Sequence, residues 1–121
     1  MKILGIDYGR KKIGLAVSEG VLVEPWKVLR VNNLNDSIQK IEKEIEIEKP
    51  DRVVVGVSEG EMGEESKKFA EKIRAETFDE TLSTHSAQEL SREAKISRKN
   101  RKNLEDAYAA SVMLQNFLDS N

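Results

Sequence analysis

The chain has 121 residues, enough for one hydrophobic core and not for two. Charged residues make up 35% and apolar ones 38%, with a net charge of -2, so the basic excess of many nucleic-acid binders is missing and local clusters must be weighed instead. No cysteine and one histidine exclude disulfides, thiolate sites and multi-histidine sites, so any metal centre must use oxygen ligands, which favours Mg²⁺ or Mn²⁺.

Lys2 to Asp7 reads as a buried strand carrying Ile3, Leu4 and Ile6. Tyr8 to Lys12 is a polar turn in which Gly9 supplies backbone freedom. From Ile13 to Ser18 the pattern alternates. Ile13, Leu15 and Val17 share one face, and Gly14, Ala16 and Ser18 share the other, where a helix or a ligand backbone can come close. Glu19-Gly20 is a tight turn, and Val21 to Val31 is a third strand whose Pro25 marks an edge or a bulge. The period then changes: Leu34, Ile38, Ile41 and Ile45 form a helical stripe, Asp36 and Gln39 resemble a capping box, and Pro50 ends the helix. Arg52 to Val57 has the β-branched content of a central parallel strand. Met62, Ser66, Phe69 and Ile73 form the next helix stripe. Thr77 to Leu82 is a short strand, and Ser83-Thr84 can cap a helix reaching about Ala94. Ser97 to Asn103 reads as a basic connector and Leu104 to Leu118 as the last helix. The order βββαβαβαα predicts an α/β fold over residues 1–121. Its mixed five-stranded sheet joins a three-strand antiparallel meander to two parallel strands, with helices on its faces.

Carboxylates at strand ends, or on helix faces that should be apolar, are the groups that could converge on a divalent cation. Asp7 closes the first strand; it suits a metal ligand and equally an Asx-type turn. Asp79 and Glu80 end the strand that starts near Thr77. Glu80 shares a face with Phe78 and Leu82, as a ligand would, or as a solvated residue on an edge strand would. Asp106 continues the stripe of Ala110, Met113 and Phe117, where a charge is costly unless paired, although Asn103 as N-cap would make it a favourable first-turn acid. Glu105 is expected to face outward.

Four blocks in order carry a family resemblance across nearly the whole chain: Ile3-Leu4-Gly5-Ile6-Asp7-Tyr8-Gly9-Arg10-Lys11-Lys12-Ile13-Gly14-Leu15-Ala16-Val17-Ser18; the strand Val53 to Gly56 with the helix through Lys68, Phe69 and Ala70; Phe78-Asp79-Glu80-Thr81-Leu82-Ser83-Thr84; and Ser97 to Lys102 leading into Asp106-Ala107-Tyr108-Ala109-Ala110 and Leu114-Gln115. Together they resemble the YqgF (RuvX) family of Holliday-junction-resolvase-like proteins, implicated in maturing the 5′ end of pre-16S ribosomal RNA. The resemblance implies a ribonuclease-H-like fold and metal-dependent phosphodiester hydrolysis. It also implies that Asp7, Glu80 and Asp106 are the catalytic residues and hold Mg²⁺ or Mn²⁺. Three departures bear on substrate choice. Thr81 stands where the family usually has arginine, and Ser58 where proline often follows the glycine. The loop from Ser58 to Ser66 looks shortened and carries Glu59, Glu61, Glu64 and Glu65, which would repel phosphate.

Two basic clusters could neutralise phosphates: Arg10, Lys11 and Lys12 after Asp7, and Arg98, Lys99, Arg101 and Lys102 before Asp106. A hairpin tip and a solvated connector would also carry such residues. His85 is expected at a helix start, and Trp26 and Tyr108 in the core. The expected function is a nuclease acting on an rRNA precursor or branched DNA, as a monomer or a homodimer. The alternatives are a non-catalytic nucleic-acid or ribosome-assembly binding domain, and an ATP-binding relative. The last is disfavoured because such kinases need two domains of this kind and no phosphate-binding loop of the Gly-x-x-x-x-Gly-Lys type is present. No apolar run approaches the ~20 residues of a membrane span, and MKILGID does not develop into a signal peptide. A cytoplasmic location without a membrane partner is therefore expected.

Overall fold

Three strands, β1 (Lys2–Asp7), β2 (Lys12–Glu19) and β3 (Leu22–Arg30), form the antiparallel meander. The computed structural model describes residues 1–79 and 98–120, the side chains of residues 98–104 excepted. Helix α1 (Leu34–Glu48) leads to β4 (Arg52–Val57), and α2 (Glu61–Ile73) leads to β5 (Glu76–Asp79). A long helix, α3 (Arg98–Asp119), closes the chain. The sheet order is β3-β2-β1-β4-β5, with β4 parallel to both β1 and β5.

Alternation along the strands divides the core in two. Leu4, Ile6, Ile13, Leu15 and Val55 point to the face covered by α1 and α2, where they meet Ile41, Phe69 and Ala70. Ile3, Ala16 and Val54 point to the other face and meet Ala110, Met113, Leu114 and Phe117 of α3. The expected mixed sheet with helices on both faces is therefore what forms. Pro25 lies on the edge strand β3, beside a bulge. Leu15 pairs with Lys27 and Ala16 with Pro25, leaving Trp26 as the extra residue. Trp26 is half-buried against the core, and the Lys27 ammonium sits 4.2 Å above its ring.

Local chemistry corrects several sequence expectations. The cap of α1 is not the Asp36–Gln39 pair. Asn33 is the N-cap and accepts a hydrogen bond from the Asp36 amide at 2.8 Å, while the Asp36 carboxylate accepts from the Asn32 amide at 2.9 Å. The segment expected as an acidic loop is helical from Glu61 onward. The basic segment expected as a connector is helical from Arg98, because Arg and Lys are good helix formers even without an apolar stripe. Gly9 does not adopt a positive φ. It is needed for close approach, since a Cβ there would lie 2.5 Å from the Lys12 carbonyl oxygen. The helix expected from Ser83 to Ala94 lies outside the described residues, as do His85 and Thr81.

Candidate active site

Asp7 is the last residue of β1 and lies directly opposite Gly14 on β2. Ile3 packs against α3, and a Cβ at Gly5 would touch Leu114 of that helix at 3.0 Å. Alternation from Ile3 through Gly5 therefore brings Asp7 to the same face. Helix α3 descends onto this face where β2 offers no side chain: a Cβ at Gly14 would lie 1.9 Å from the Asp106 carbonyl oxygen. Gly14 is thus a shared neighbour of Asp7 and the Asp106 backbone, and both aspartates are half-buried. Glu105, expected to face outward, is half-buried as well.

Glu80 lies outside the described residues, immediately after the end of β5. Phe78 of β5 joins the α3-side cluster, its ring edge-on to Phe117 at 5.7 Å. Asp79 belongs to the other face. It pairs with Val57 and helps line a cavity of about 310 Å³ beside α2 with Ser58, Gly60, Lys67 and Thr77. Among the described residues no three carboxylate or imidazole groups gather closely enough to hold a metal ion. The described part of the candidate site is therefore the Asp7–Asp106 pair. Two half-buried aspartates on one sheet face, beside a glycine with no side chain, fit a hard divalent cation in donor chemistry.

The loop after Asp7 is tied to α2 twice. The Tyr8 ring stacks on Phe69 with centroids 4.7 Å apart, and burial pushes the Tyr8 phenol pKa up. Arg10 donates from Nε to both oxygens of Glu65 at 3.0 Å and from Nη2 to Oε2 at 2.6 Å. That hydrogen bonding holds the Glu65 carboxyl below its ordinary pKa. Arg10 is therefore not an unengaged phosphate contact. Lys11 and Lys12 beside it are exposed. Arg98, Lys99, Arg101 and Lys102 occupy the first turns of α3, on the helix that carries Asp106. Sequence reasoning missed the Arg10–Glu65 pair, which joins residues 55 apart, and no local pattern announces it. Gly63 was also missed: a Cβ there would lie 1.9 Å from the Ser58 carbonyl oxygen, so glycine lets α2 start tight against the end of β4.

The sheet order and the helices on both faces define a ribonuclease-H-like α/β fold. The family model RuvX, described as Holliday junction resolvase, matches residues 1–120. Relatives from Bacillus thuringiensis (strain Al Hakam) and Bacillus cereus (strain AH820), each described as a candidate pre-16S rRNA nuclease, are 35% identical over 139 aligned residues. Those alignments cover 99% of this chain and 99% of each relative. The chain belongs to the YqgF/RuvX family. Among solved structures, the fowlpox virus Holliday junction resolvase superposes with a TM-score of 0.64 at 10% identity, covering 100% of both chains. Thermus thermophilus RuvC superposes with a TM-score of 0.59 at 14% identity, covering 100% of this chain and 97% of that one. At such identities these two superpositions speak to the fold alone. No helix among the described residues is long and apolar enough to cross a membrane.

Proposed function

We propose that this chain is an endonuclease that hydrolyses phosphodiester bonds in structured nucleic acid, with Asp7, Glu80 and Asp106 holding Mg²⁺ or Mn²⁺. The observation that carries the reading is the approach of Asp7 and Asp106 around Gly14, from opposite ends of the chain onto one sheet face. Membership of a nuclease family supports phosphodiester chemistry and a nucleic-acid partner in general. The finer substrate we propose is the 5′ end of a pre-16S rRNA precursor, or a branched DNA junction.

A divalent cation bound there would neutralise charge at the scissile phosphate and on the leaving oxygen. The chain's own part is positioning. Asp7 is held opposite Gly14 of β2, one residue beyond Ile6, the last residue of β1 that also pairs with β4. Asp106 is fixed by the contact of its peptide with Gly14. Lys11 and Lys12, with Arg98, Lys99, Arg101 and Lys102, supply positive charge for the phosphates on either side of the cleaved bond.

Cleavage of RNA hairpins, pre-16S fragments and four-way DNA junctions at millimolar Mg²⁺ or Mn²⁺ tests this. The wild type should cut at least one of them. Asp7→Asn should lower the rate by ~100-fold or more, the scale of losing one charge-stabilising group, without changing the melting temperature. A wild type that cuts none of them sinks the nuclease reading. Retained nucleic-acid binding by Asp7→Asn, with no Mg²⁺ bound by the wild type at millimolar concentration, would favour the non-catalytic binding domain instead.

A further inference from the structure

Arg10 is an exposed cation three residues beyond Asp7, on the loop that follows it directly, yet its guanidinium is occupied. Glu65 takes the edge formed by Nε and Nη2. That edge is the planar fork with which arginine grips a phosphate through two parallel hydrogen bonds. A phosphate and Glu65 therefore compete for the same donors. Two neighbours shape the competition. Glu61, one helical turn before Glu65, adds a second negative charge in the field of Arg10. Lys68, three residues after Glu65, is a positive neighbour of the Glu65 carboxylate and offers it an alternative partner on its own helix.

We propose that Glu65 is a specificity-determining mask on Arg10: nucleic acid reaches this arginine only by displacing the carboxylate, which then turns towards Lys68. The inference rests on the nucleic-acid reading above and deepens it. It makes the α2 acids a filter on binding rather than a source of diffuse repulsion. A ligand with one weakly placed phosphate leaves the ion pair closed. A ligand that sets a phosphate directly at Arg10, alongside contacts to Lys11 and Lys12, opens it. Opening also releases one of the two ties between the Asp7 loop and α2, while the Tyr8–Phe69 stack holds the other.

The test is a double-mutant cycle on the full chain. Binding of a labelled four-way DNA junction and of a labelled RNA stem-loop is titrated over a salt series, without divalent metal so that nothing is cut. Glu65→Gln should tighten binding about 3- to 10-fold and steepen the slope of log K against log salt by about 0.7 to 0.9, one added phosphate contact. Arg10→Gln should change affinity by less than about 2-fold for a probe that leaves the ion pair closed, because its charge is already countered, and should weaken binding of a probe that opens it. In the Arg10→Gln background, Glu65→Gln should give no gain. The pair is solvent-exposed, so all three variants should melt close to the wild type. A gain that persists without Arg10 means general repulsion and overturns the mask. Weaker binding by Glu65→Gln means that Glu65 orients Arg10, and overturns it too. Wild-type binding that Glu65→Gln leaves unaltered overturns the mask alone. If neither wild type nor Glu65→Gln binds either probe, the nucleic-acid reading fails and the mask with it.

Discussion

On the face covered by α1 and α2, the sheet contributes Leu4, Ile6, Ile13 and Leu15, each almost wholly buried, and the two helices ride on top of those side chains. On the face covered by α3 it contributes Ile3 and Val54 at one side, but Gly5, Gly14, Ala16 and Ser18 along the rest of β1 and β2, and at Gly5 and Gly14 the helix lies against the strand backbone itself. The first arrangement buries more apolar volume and tolerates small shifts, because side chains can repack. The second has little slack, since backbone meets backbone. That is where the two described candidate acids lie. One face mainly stabilises, and the other mainly fixes the distance between a strand end and a helix.

Mutations on the two faces should therefore fail differently. Ile41→Ala removes a fully buried side chain from the α1 side and should cost ~3 kcal/mol in urea unfolding. The fraction that remains folded should cleave nucleic acid at close to the wild-type rate. Gly14→Ala should cost a similar amount of stability, ~3 kcal/mol, the upper end of the usual scale for overpacking, because the atoms it meets are backbone. Its effect on cleavage should be larger. The new Cβ must push the Asp106 peptide away, and displacement on the order of 1 Å at a reacting centre can cost ~100-fold in rate. Measured together, unfolding midpoints and cleavage rates separate the two faces. Equal losses of rate in both variants, or a fully active Gly14→Ala protein, would break the distinction.

The same contrast explains what could be seen in the sequence. Period-two alternation from Ile13 to Ser18 exposed both faces at once, and the small residues announced a close approach, by a helix or by a ligand backbone, which the structure shows to be that of α3. The stripe through Ala110, Met113 and Phe117 was legible for the same reason, and it made Asp106 conspicuous. What could not be seen lacks a local apolar signal. The first turns of α3, Arg98 to Asn103, hold only polar residues, so periodicity was silent there. Gly60 and Gly63 imitate a loop around the start of α2, although Gly63 is inside the helix and is glycine there because the Ser58 carbonyl leaves no room for a Cβ. The Asn33 cap was not read from the sequence: Asn33–Asp36 and Asp36–Gln39 have the same spacing of polar residues, and only the observed hydrogen bonds separate them. Arg10 and Glu65 meet through tertiary structure, and composition could register them only as opposing charges. Glu80, the third acid of the proposed set, rests on the resemblance and lies outside the described residues.

Ser18 gives the smallest and sharpest probe of the α3 face. The buried polar residues among those described are all serines, and Ser37, Ser66 and Ser111 each donate to a carbonyl three or four residues earlier, in their own helix or at its N-cap. Ser18 is on a strand, where that option does not exist, and its hydroxyl is buried without a hydrogen-bond partner among the described residues. An unmade hydrogen bond costs ~1–3 kcal/mol of desolvation, while the lost oxygen leaves a cavity smaller than a methyl group. The two terms oppose each other, so Ser18→Ala should be neutral or should stabilise by up to ~1 kcal/mol. Ser18 pairs with Ile3, four residues and roughly 14 Å along β1 from Asp7, so cleavage should not change. A loss of more than ~1 kcal/mol in the unfolding free energy would show that the hydroxyl makes a hydrogen bond after all. A loss of cleavage without a loss of stability would show that this face transmits small changes along its whole length, and that its rigidity is not confined to the contact between Gly14 and Asp106.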